Sequence, residues 1–144
     1  MKIRYVYLLL IVSCIANAQQ KKFENLDQYN PLSFIEAVII SESKDKSQVF
    51  YTMHDKFSEN WVTYKDVEKL IPLISSEKKC LNFMNVYSSY IPADDYSNVG
   101  GYAILFINSF RTKSKIKMGL YNCPKTNKKA VNEILIWWKK YKKK

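Results

Sequence analysis

The first 18 residues constrain this 144-residue chain most, because they decide the compartment in which the rest folds. Lys2 and Arg4 give a positive start, residues 6–12 form an apolar run, and Ala16-Asn17-Ala18 supplies the small-x-small pattern that signal peptidase accepts. The run is shorter than the roughly 20 residues a membrane-spanning helix needs, so it reads as a signal peptide and not an anchor. Ile11-Val12-Ser13-Cys14 offers a second reading, a lipoprotein box with Cys14 as the lipidated residue. Ordinary cleavage before Gln19 fits the Ala-Asn-Ala site better. The expectation is an exported protein, periplasmic or extracellular, whose single globular domain covers residues 19–144.

Export makes the cysteines informative. Cys80 and Cys123 are the two left after cleavage, and an even number in an oxidising compartment predicts a disulfide between them. Such a bond would restrict the unfolded chain by roughly 4 kcal/mol, a large share of the ~5–15 kcal/mol that holds a domain of this size together. A metal centre needs three or four ligands, and His54 is the sole histidine, so no metal is expected. Glycine-rich phosphate loops and dinucleotide fingerprints are absent, so no cofactor is expected either.

Charge is unevenly spread. Residues 111–144 hold twelve basic side chains and one acid, Glu133, whereas residues 19–110 hold nine basic and twelve acidic ones. This asymmetry can mark a surface for an anionic partner, but the abundance of lysine, asparagine and tyrosine beside so little arginine favours a purely compositional origin. Arg111 is the only arginine after the leader. Phosphate-reading sites favour the bidentate guanidinium, so nucleic acid is not an expected partner.

Periodicity predicts a mostly α domain of about four helices. Asn30-Pro31 caps a first helix carrying Leu32, Ile35, Val38 and Ile39, although the apolar run 34–40 also suits a buried strand. Alternating Val49, Tyr51 and Met53 hint at a short strand. Thr63 and Asp66 form a capping box for a helix over 63–75 lined by Val67, Leu70, Ile71 and Ile74, with Pro72 loosening its last turn. Residues 77–90 give no clear period. Ser97 can cap a helix to about Thr112, which Gly100 and Gly101 weaken by roughly 1 kcal/mol each. The alternative is an α+β fold with a hairpin near 102–121, in which Ile116, Met118 and Leu120 alternate. Thr126 or Asn127 caps a last helix to about Tyr141, with Ala130, Val131, Ile134, Leu135, Trp138 and Tyr141 on its apolar face. The lysines at its end favour the helix macrodipole.

Trp61, Thr63, Asp66-Val67, Leu70-Ile71, Cys80, Ser88-Ser89-Tyr90, Ser97-Asn98-Val99-Gly100, Phe106-Ile107, Phe110-Arg111 and Trp137-Trp138 together form a familiar pattern. On these residues, across about 61–138, the chain resembles a group of small uncharacterised exported bacterial proteins of helical appearance. The resemblance implies a helical fold and no particular activity.

Few constellations point to catalysis. A thiol of Cys80 or Cys123 with His54 would be consumed by the disulfide. Ser75-Ser76-Glu77-Lys78-Lys79 holds S-x-x-K matches without the partner motifs of that enzyme class. Asp94 and Asp95 lack the spacing of a calcium loop. The binding candidate is the aromatic and basic cluster Trp137, Trp138, Lys139, Lys140 and Tyr141. Adjacent tryptophans lie about 100° apart on a helix, which places Trp138 in the stripe and Trp137 at its edge. Three functions follow in order of expectation. The first is recognition of another protein, as by a periplasmic inhibitor or immunity-type protein. The second is peripheral attachment to anionic lipid through the C-terminal helix, and the third is a cell-envelope hydrolase.

Overall fold

A computed structural model describes residues 21–40, 50–53, 56–89 and 95–143. The leader, Cys14, His54, Asp55 and Asp94 lie outside the described residues.

The fold is α+β, which overturns the expectation of a mostly α domain: 46% of the described residues are helical, but 16% lie in strands that build two sheets. Strands β1 (Lys21–Phe23), β2 (Phe50–Met53), β4 (Asn82–Met84) and β6 (Tyr121–Asn122) form a four-stranded sheet in that order. The first two pairings are parallel, with Phe23 opposite Met53 and Tyr51 opposite Phe83, and the third is antiparallel. Parallel neighbours need a crossover. Helix α1 (Pro31–Val38) lies in the connection from β1 to β2, and α2 (Tyr64–Leu70) in that from β2 to β4. A second sheet pairs β3 (Lys79–Cys80) with β5 (Ser97–Asn98) in antiparallel register, Cys80 opposite Ser97. Helices α3 (Val99–Thr112) and α4 (Lys128–Tyr141) complete the chain.

The local helix signals hold. Asn30 accepts from the Leu32 and Ser33 amides at 3.0 Å each and Ser33 returns the bond, with Pro31 at the first helical position. The Thr63 amide donates to Asp66 at 2.9 Å in the reciprocal box. Pro72 converts the end of α2 to a 3-10 turn, Ile71–Leu73. The cap of α3 is Asn98 and not Ser97, its Oδ1 accepting from Gly101 at 2.7 Å. Asn127 caps α4 in the same way, through Ala130.

The alternative had the α+β class, but its hairpin near 102–121 is not formed. Residues 102–110 are helical, and of residues 116–121 only Tyr121 enters a strand, against β4. Ile116 and Met118 are buried while Leu120 is 62% exposed, so the alternation stops short of it.

Aromatic residues join the layers. Phe34 of α1 is fully buried and meets Phe23 and Tyr51 of the sheet, Phe57 and Trp61 of the following loop, and Tyr102 and Phe106 of α3, at ring centroids of 5.0–6.2 Å. Helix α3 passes directly over two backbone segments, which explains its glycine pair. A Cβ on Gly100 would sit 2.5 Å from the Ile74 carbonyl oxygen, and one on Gly101 would sit 2.1 Å from the Pro124 carbonyl carbon. The glycines that weaken the helix as a sequence allow the contact that holds it in place.

Candidate functional site

Helix α4 docks one side and leaves the other bare. Ile134 and Trp138 are buried, and Ala130, Val131 and Trp137 pack against the core partly covered. The docked side joins an aromatic seam: Trp137 lies 6.3 Å from Phe110, Trp138 lies 5.3 Å from Tyr64, and Tyr141 stacks on Trp138 at 5.9 Å. Trp138 therefore sits in the stripe and Trp137 at its edge, as the spacing implies.

Two residues of the expected apolar face, Leu135 and Tyr141, are exposed, and Leu135 lies on the bare side. Leu135, placed by periodicity on the apolar face, is 44% exposed, and its neighbour Ile136 is 58% exposed. Leu135, Ile136, Lys139, Lys142 and Lys143 line one shallow surface of about 620 Å³, with Trp138 at its edge. The spacings 135–139, 136–139, 136–143 and 139–142 place these side chains on one helical face. Lys139 and Lys140 are exposed, and Tyr141 is 40% exposed. Of the five binding candidates read from the sequence, the structure thus puts Trp138 in the core, Trp137 and Tyr141 in the seam, and the two lysines on the surface. Leu135 and Ile136 are the additions.

A polar assembly centres on Asn82 of β4 and joins β5 and β6. Asn82 is fully buried. Its Oδ1 accepts from the Ser97 amide at 2.6 Å and the Ser97 hydroxyl at 2.8 Å, and its Nδ2 donates to the Asp95 carbonyl at 2.6 Å and the Tyr121 hydroxyl at 3.0 Å. An asparagine inside the apolar run Cys80-Leu81-Asn82-Phe83-Met84 is the sequence signal for such a hub, because an unpaired amide there would be costly. Replacing Asn82 with Ala strands the Ser97 donors and the Asp95 carbonyl. The expected loss is about 2 kcal/mol, read as a lower midpoint in urea unfolding.

The expected Cys80–Cys123 disulfide is not formed: both are free thiols, Cys80 buried and Cys123 half-buried. Each sulfur has its own partner. Cys80 Sγ faces the Lys78 carbonyl at 3.8 Å, and Cys123 Sγ donates to Asp95 Oδ2 at 3.5 Å. Burial pushes the Cys80 thiol up to about 12. Burial also raises the Cys123 thiol, and the Asp95 carboxylate beside it adds to that rise. Asp95 is itself held below the usual carboxylate range, first by its hydrogen bond from Lys125. Neither sulfur is thus poised as a thiolate nucleophile. Of the S-x-x-K serines, Ser75 is exposed, and Ser76 Oγ accepts from the Lys78 amide at 3.5 Å and not from a lysine ammonium. Among the described residues, no group of three or more His, Cys, Asp or Glu side chains is placed to hold a metal ion.

Compared with protein-family models, with curated proteins and with solved structures, the chain matches none.

Proposed function

We propose that this is an exported binding protein that attaches reversibly to an anionic membrane surface through the outer face of α4. The observation that carries the reading is the exposure of Leu135 and Ile136 among Lys139, Lys142 and Lys143. Lysines at a helix C-terminus are explained by the macrodipole alone. Two large apolar side chains turned away from the core are not.

The chemistry suits a headgroup layer. Apolar tips enter the acyl boundary while lysine stems lie along it and keep their charge at the phosphates. Each lysine near an anionic surface contributes about 1 kcal/mol. Two half-exposed aliphatic side chains add about 1 kcal/mol each. The total, on the order of 5 kcal/mol, corresponds to weak binding that salt reverses. No helix among the described residues is long and apolar enough to cross a membrane.

Co-sedimentation with vesicles tests it. The mature chain should pellet with phosphatidylglycerol-containing vesicles, not with pure phosphatidylcholine, and should be released at 1 M salt, where screening acts over about 3 Å. Leu135→Ser with Ile136→Ser should weaken binding at least tenfold, and Lys139, Lys142 and Lys143→Gln should weaken it further. These residues are exposed, so the variants keep their fold. Equal pelleting with both vesicle types, or none with either, would remove the reading.

A further inference from the structure

A groove of about 670 Å³ opens on a different side of α4, where three chain-distant segments meet. Phe110, Trp137 and Tyr141 give it an aromatic wall, with centroids 5.2–6.3 Å apart. Arg111, Lys113 and Lys115 supply cations, and none of them has an ion-pair partner among the described residues. Glu59 is the one acid in the lining.

The backbone here is unusual. The only two non-glycine residues with positive φ among the described residues are Asn60 at 59° and Lys113 at 51°, and both line this groove. Lys113 occupies the left-handed C-cap of α3, a position where glycine costs less. Left-handed conformations at residues other than glycine gather at binding sites because surrounding structure must hold them. The helix carbonyls there are already satisfied: the Lys113 amide donates to Phe110 at 3.4 Å and the Ser114 amide to Ser109 at 3.1 Å. The side-chain cations are therefore not needed as caps.

We propose that this groove binds an acidic polypeptide segment, with carboxylates on Arg111, Lys113 and Lys115 and an apolar or aromatic side chain against Phe110, Trp137 and Tyr141. The cations come from alternate positions 111, 113 and 115 of one segment, a spacing that suits charges repeated along a chain. Glu59 opposes a continuous row of phosphates, whereas a peptide can place an uncharged residue beside it. At about 100° per residue, Lys139 lies opposite Trp137 and Tyr141 around α4, and Ile136 and Lys143 lie about 100–160° from them. The groove thus stays open when the outer face is occupied, and the proposal goes beyond the lipid reading.

Fluorescence anisotropy of the mature chain with short labelled peptides tests this. A peptide alternating glutamate and tyrosine should bind. Its glutamine counterpart should bind at least tenfold more weakly, as should the acidic peptide to the Arg111→Gln, Lys113→Gln, Lys115→Gln variant. Leu135→Ser with Ile136→Ser should leave peptide binding unchanged, which separates this site from the lipid-facing one. Equal binding of the acidic and neutral peptides, or no loss in the glutamine variant, would overturn the proposal. So would displacement of the acidic peptide by inorganic phosphate, or tighter binding of an oligothymidylate of equal charge.

Discussion

Replacing Phe34 with Ala is expected to lower stability by about 4 kcal/mol. Phe34 is fully buried and touches rings from the sheet, the 57–61 loop and α3. Truncation removes the transfer free energy of the ring and leaves a cavity between elements that cannot all close inward together. Edge-to-face contacts add about 0.5–1.5 kcal/mol per pair beyond area, although they do not sum independently. A domain of this size has ~5–15 kcal/mol in hand, so the loss removes from about a quarter to about four-fifths of it. Phe34→Leu keeps most of the volume and should lose about 1.5 kcal/mol. Urea unfolding of the two variants measures the difference. Equal losses would mean that ring geometry at this position does not matter.

Gly101→Ala should be destabilising by about 3 kcal/mol, although helix propensity points the other way. Alanine gains about 1 kcal/mol over glycine inside a helix. Against this, the new Cβ would lie 2.1 Å from the Pro124 carbonyl carbon, 2.2 Å from its oxygen and 2.3 Å from the Lys125 amide nitrogen. All three are backbone atoms, so no side-chain rotation relieves the overlap, and the cost is about 4 kcal/mol. The helix and the 122–126 loop would have to separate. That would also strain Asn98, whose Oδ1 accepts from both Gly101 at 2.7 Å and Thr126 at 2.9 Å. Gly119→Ala is the control. It has open space around it but a φ of +69°, so it should lose only about 1 kcal/mol. A thermal scan that ranked Gly119→Ala as the worse variant would contradict the proposed packing of α3.

The glycine pair shows where sequence reasoning stops. Propensity registers Gly100 and Gly101 as weak points in a helix, which is correct locally. The reason for them lies in Ile74 and Pro124, both more than 20 positions away. Capping is different, because Asn30, Thr63 and Asn127 act within three residues and could be read directly. Only β2 left a trace, in the alternation of Val49, Tyr51 and Met53. The strands are two to four residues long, and even in β2 Thr52 is buried along with Tyr51 and Met53, so no strand shows a clean half-exposed pattern. This is why a mostly α fold was the expectation and why the resemblance to helical proteins misled.

The candidate site divides the same way. The lysine-rich aromatic end of α4 was visible as composition. Its docking direction was not, because Leu135 sits at the margin of the periodic stripe and only the core beneath decides which margin is covered. The acidic-segment groove, built from residues near 60, 111–115 and 137–141, exists only after folding brings them together. Asn82 could have been singled out, since a lone amide in an apolar run needs buried partners.

The orientation of α4 at a membrane can be measured directly with Ile136→Trp in vesicles whose phosphatidylglycerol carries brominated acyl chains. The added emission, taken as the difference from the unsubstituted protein, should be strongly quenched and should recover at 1 M salt. Unquenched emission from protein that still pellets with the vesicles would mean that another surface makes the contact.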